Sequence, residues 1–152
     1  MTTETRESQT PNTPEPFFFW LGLKMEPVGK GRPRFTRSGH AYTPARTRAA
    51  ERQIAIAARS RMAGKPPASI PLRVSVTAVF PIPKSWPKAK REAAEAGTLA
   101  PTVKPDVDNI AKLVDALNGI VFEDDRQIVE LSVLKAYGPE PSLSFVVQEW
   151  RP

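Results

Sequence analysis

Cysteine is absent from the 152 residues, and histidine occurs once, as His40. Without cysteine there are no disulfides, thiolate-held zinc, iron–sulfur clusters or thiol nucleophiles. One histidine excludes a multi-histidine metal site and any Ser-His-Asp triad not built on His40. His40 itself reads as an exposed loop residue, not a ligand. Long apolar runs are also missing, and none approaches the ~20 residues that span a bilayer. The opening stretch, MTTETRESQTPNTPEP, has no apolar signal core. A soluble, cytoplasmic protein without membrane association is expected. What is present suits a folded chain: 40% apolar and 25% charged residues, at a length typical of one domain with a real core.

Charge is unevenly placed. The net charge is +6, with 22 basic and 16 acidic residues. Residues 1–65 carry 12 basic and 5 acidic residues, and residues 106–152 carry 4 and 9. Ten cations lie between Lys24 and Arg61 against two acids, Glu26 and Glu51. A basic surface is commonly just solvated, but this density points to phosphate contacts. Acids beside a polyanion are costly unless a cation offsets them, so the split hints at a metal.

Residues 1–16 lack periodicity and read as a disordered tail, leaving 17–152 as one domain. The aromatic run 17–25 reads as a buried strand. A basic loop follows. A helix is expected from Thr43 as N-cap and Pro44 at its first position to about Met62, where Gly64 stops it, with Ala50, Ile54, Ala57 and Ala58 as its apolar stripe. Residues 72–80 alternate strictly between apolar and polar, as in a half-buried strand. Residues 88–96 read as a short polar helix. Ile110, Leu113, Val114 and Leu117 recur at i, i+3, i+4 and i+7, a helix that ends at Asn118-Gly119. Residues 127–137 and 143–150 read as two strands joined in a hairpin through Gly138-Pro139.

The acids are the candidates for chemistry. Were the chain extended through Asp106 and Asp108, the i, i+2 spacing would put both carboxylates on one side. Close like charges repel, and a divalent cation relieves this. Ligands that are all carboxylate oxygens suit Mg2+, with Mn2+ as a substitute. The competing reading is that an Asp before a helix is only an N-cap. Asp124-Asp125 is a second pair, which could equally be a solvated turn. Lys112 lies four residues after Asp108 on one helix face, and Asp115 three further on. Together they could be a surface ion pair, or Lys112 could face a phosphate.

In order, Lys104-Pro105-Asp106-Val107-Asp108-Asn109-Ile110-Ala111-Lys112, Asp115-Ala116-Leu117-Asn118-Gly119 and Asp124-Asp125-Arg126-Gln127-Ile128 resemble the RusA family of Holliday junction resolvases. Gly29-Lys30-Gly31-Arg32-Pro33-Arg34-Phe35 and Tyr42-Thr43-Pro44 look like segments of the same family. The resemblance runs over roughly residues 17–150. It implies an α+β single domain, a mixed β-sheet flanked by helices, working as a homodimer on four-way junction DNA. It makes Asp106, Asp108 and Asp125 the Mg2+ ligands and Lys112 the catalytic lysine. Asp124 and Asp115 are possible further acids. The spacing from Lys112 to Asp115 is one residue shorter than in a typical member, which leaves the role of Asp115 open. Lys30, Arg32, Arg34, Arg37, Arg48, Arg52 and Arg59 are the expected DNA contacts, and no small-molecule cofactor is expected. The alternatives are an inactive binder of branched DNA, a metal-dependent nuclease for flaps or other branched DNA, and a basic RNA-binding protein.

Overall fold

The computed structural model describes residues 14–152, so the expected tail lies almost wholly outside the described residues. Six strands are formed: β1 (Phe18–Leu23), β2 (Arg34–Phe35), β3 (Ala41–Tyr42), β4 (Leu72–Pro81), β5 (Ile128–Gly138) and β6 (Ser142–Glu149). Three α-helices accompany them: α1 (Ala45–Met62), α2 (Lys88–Glu95) and α3 (Val107–Ala111). Together they make one α+β domain.

Strand alternation builds the sheet. Leu72, Val74, Val76, Ala78 and Phe80 on β4 are buried, while the intervening residues are half-buried. The main sheet runs β1-β6-β4-β5, with β4 antiparallel to β6 and parallel to β5. A parallel pair needs a crossover connection, here the long segment carrying α2 and α3. Ile54, Ala58 and Met62 of α1, with Ile110, Leu113 and Leu117, join the sheet's inward face in one core. The outward face is polar along β4: Arg73 pairs with Glu130 at 2.8 Å, and the Ser132 hydroxyl donates to that of Ser75 at 3.2 Å.

Three expectations are corrected. β5 and β6 are not a hairpin, because β4 lies between them. Their connection carries the chain past β4, whose backbone thereby finds hydrogen-bond partners along both edges. The aromatic run is not a buried strand but the edge strand β1, with Phe19 and Leu21 inward and Phe18 and Trp20 exposed. Trp20 lies across Gly22, where a Cβ would come within 2.6 Å of the indole. α1 begins at Ala45, one residue after Pro44, with no side-chain cap. Of its expected stripe Ala50, Ile54 and Ala58 are buried and Ala57 is half-buried, and its end turns left-handed at Ala63 (φ 49°) and Gly64 (φ 79°).

Candidate active site

The helix expected before Asn118 is present but changes type. Val107–Ala111 is α-helical, and Lys112–Leu117 tightens to a 3-10 helix. Its apolar positions Ile110, Leu113, Val114 and Leu117 are all buried. A 3-10 turn has three residues, so positions three apart eclipse. Lys112 and Asp115 therefore share a face, which the shortened spacing between them permits.

Asp106 sits at the N-cap of α3 in an extended conformation (φ −72°, ψ 155°), and its carboxylate makes no capping hydrogen bond. The N-cap reading thus does not account for it. Asp108 lies in the first helical turn. The chain is extended at Asp106 but helical from Val107, so the strand-like i, i+2 arrangement is not realised. Both carboxylates are exposed and belong to one turn of chain. The Lys112 ammonium donates to Asn109 Oδ1 at 3.2 Å.

A basic loop is docked on this turn. The Lys30 amide donates to the Asn109 carbonyl at 2.9 Å. At Gly29 an added Cβ would meet Asn109 Cβ and Pro105 Cβ, each at 2.8 Å, so only glycine lets the loop approach this closely. The Lys30 side chain turns inward, 3.0 Å from Glu51 of α1 and 3.3 Å from Asp115. The Glu51 contact is an ion pair that misses hydrogen-bond direction. Burial pulls the Lys30 pKa down, but the charges of Glu51 and Asp115 outweigh it and raise the net value. Lys30, expected to grip DNA, thus also ties the loop to α1 and to the 3-10 turn. The partner of Asp115 is Lys30.

Between loop, α1 and α3 lies a cavity of about 440 Å3. Arg34, Arg46 and Lys104 line it together with Asp106 and Asn109. Arg46 and Lys104 were not among the expected contacts. The first turn of α1 holds Arg46 and Arg48 and no acid, although cations there oppose the helix macrodipole. Such placement fits a surface that meets an external anion. Arg32, Arg37, Arg48, Arg52 and Arg59 are all exposed.

Asp124 and Asp125 have separate tasks. Asp124 caps the 3-10 turn Asp125–Gln127: its carboxylate accepts from the Arg126 amide at 2.9 Å and from Arg126 Nε at 3.0 Å. Gln127 Oε1 accepts from the Asp124 amide at 2.8 Å, completing a capping box. Gln127 Nε2 donates to the carbonyls of Ala68 and Ile70. Hydrogen bonds from Arg126, backbone first and then side chain, hold the Asp124 pKa below its ordinary value. Asp125, one residue on, takes no part in the box and is exposed. Among the described residues, no three His, Asp or Glu side chains stand close enough to hold a metal ion. Asp106 and Asp108 lie two residues apart at the start of α3; Asp125, in the 3-10 turn before β5, forms no cluster of three with them among the described residues.

Fold and site define the class: a mixed-sheet α+β domain in which the uncapped Asp106 carboxylate shares a cavity with Arg34, Arg46 and Lys104. The model of the RusA endodeoxyribonuclease family matches residues 24–148. The chain belongs to that family. It is also 41% identical over 132 residues to the uncharacterized protein YqaN of Bacillus subtilis (strain 168), a match covering 82% of this chain and 91% of YqaN. No described helix is long and apolar enough to cross a membrane.

Proposed function

We propose that the protein is a divalent-metal-dependent endonuclease that resolves four-way DNA junctions by paired hydrolysis of phosphodiesters in opposed strands. The observation that carries this reading is the uncapped Asp106 carboxylate in a cavity shared with Arg34, Arg46 and Lys104. Three cations there would draw in a phosphodiester, aided by the N-terminal end of α1. Lys112, which donates to Asn109 Oδ1, would offset charge that develops on the reacting phosphate. Mg2+ is the expected ion, because the acids offer only hard oxygen donors. Bound there, it would supply charge neutralisation and an activated water.

One chain fits such an ion only in part, with two acids in one turn and the third elsewhere. A homodimer supplies a route to a third. β5 is an edge strand whose Val129, Leu131 and Leu134 are exposed. Its C-terminal half adjoins the Asp106 segment, since Lys135 donates to the Val103 carbonyl. A second copy adding antiparallel along the β5 edge would carry the partner's Asp125 toward that half. Exposed apolar edges invite this kind of pairing.

The test is incubation of the protein with a synthetic mobile four-way junction and Mg2+, mapping cuts on all four strands. Paired cuts in two opposed strands are expected. Asp106→Asn should abolish them while junction binding persists. Cleavage retained by that variant would defeat the assignment, and equal cutting of flaps or linear duplex would defeat junction selectivity.

A further inference from the structure

A second cationic surface lies outside the stretch that the sequence singles out for DNA. Residues 82–104, between β4 and α3, hold five cations (Lys84, Lys88, Lys90, Arg91 and Lys104) against two acids, Glu92 and Glu95. All five are exposed. Among the described residues the only ion pair of the five is Lys88 with Glu92, at 3.8 Å, exposed and of little energetic weight. Lys88 and Arg91 are three residues apart on α2 and so neighbour each other on its surface.

This lobe is anchored, not loosely tethered. Lys90 lies 3.9 Å over the Trp86 ring. Trp86 meets Tyr137 of β5 edge to face, with ring centroids 5.3 Å apart. Lys135 lies over the Phe80 ring and donates to the Val103 carbonyl, tying the lobe's return to the ends of β4 and β5. The next residue, Lys104, lines the Asp106 cavity. The cavity is thus lined by the basic loop, by α1 and, through Lys104, by the end of this lobe. A branched substrate offers more than one duplex arm, and a single basic helix cannot track two of them.

We infer that the lobe, through Lys84, Lys88, Arg91 and Lys104, binds the sugar–phosphate backbone of a DNA duplex arm leading away from the Asp106 cavity. The inference rests on the nuclease reading for its substrate but makes its own claim about binding. Phosphate contacts made here position the arm and read no sequence.

The experiment titrates the full chain against a fluorescent four-way junction and a linear duplex across a KCl series. Wild type is compared with K84Q/K88Q/R91Q, whose three positions are exposed; thermal melting checks that the fold is kept. The triple variant should bind about tenfold or more weakly at ~100 mM salt, with a log–log salt slope shallower by about two to three. An unchanged affinity and slope overturns the inference. Junction cleavage by wild type is read in parallel: cutting together with an unchanged slope in the variant defeats the lobe alone. Binding without cutting defeats the nuclease reading, and the slope then still decides the lobe. Duplex RNA of equal length is the control for the source of the phosphates, and tighter wild-type binding to RNA than to DNA overturns the assignment to DNA.

Discussion

Two adjacent aspartates, Asp124 and Asp125, show how one bond partner separates structure from chemistry. Asp124 is spent on the capping box with Arg126 and Gln127, whereas Asp125 is left outside it. Asp124→Ala should lower the melting temperature by a few degrees and leave junction cleavage largely intact. Asp125→Asn should do the reverse. Melting curves and single-turnover cleavage of both variants check this contrast. pH adds a second reading. The Asp124 pKa is depressed in the fold, so its contribution is present above the ordinary carboxylate range and fades as pH falls through the folded value. The stability gap between wild type and Asp124→Ala should therefore be full at neutral pH and close in acid. Gly29 is a third single-residue case. A methyl there would overlap Pro105 and Asn109, at a cost of about 1–3 kcal/mol from overpacking. Because those two residues bracket Asp106, displacing them by about an ångström should slow cleavage by roughly a hundredfold. Melting and single-turnover rates on Gly29→Ala test both effects, and an unchanged rate would show that the loop does not set the position of the acids.

At the scale of elements, the sequence was most legible where periodicity met burial. The alternation of β4 and the apolar stripe of α1 appear as expected, because each pattern has one solution that hides its apolar side. Strand pairing was not legible. β5 and β6 are close in sequence and joined by turn residues, yet each pairs with β4, whose residues lie 56–57 positions before their β5 partners and 63–77 before their β6 partners. Local turn chemistry cannot report a partner that distant. The helix after Asp106 was legible in its buried face but not in its pitch, since Ile110, Leu113, Val114 and Leu117 fit a 3-10 turn at their end as well as an α-helix. The site shows the same division. Asp106, Asp108 and Lys112 lie within seven consecutive residues at the start of α3 and the 3-10 turn that continues it, and it was the family resemblance, more than their spacing, that singled them out. The ion pair from Lys30 to Glu51 and Asp115 joins three separate segments and left no mark in the local sequence. Arg46 is not distinguishable in the sequence from the other cations between Lys24 and Arg61; only the fold shows it at the start of α1, lining the Asp106 cavity and 3.6 Å from Glu26.

Over the whole molecule, the charge split becomes a spatial one. Cations of the loop, of α1 and of the segment holding α2 surround a turn bearing Asp106 and Asp108, while a third acid waits at the far end of β5. The described residues of one chain do not gather these acids, so on the proposed reading the exposed β5 edge is the surface to test. If a second copy completes the site, each cavity draws Asp106 and Asp108 from one chain and Asp125 from the other. Subunits carrying Asp106→Asn and Asp125→Asn, each inactive alone, can then be mixed and exchanged. A mixed dimer would hold one cavity with both defects and one cavity with neither. Assayed on a four-way junction with Mg2+, the mixture should regain nicking at a single strand per junction while neither parent cuts. Cleavage by either parent alone, or no nicking from the exchanged mixture, would contradict the account.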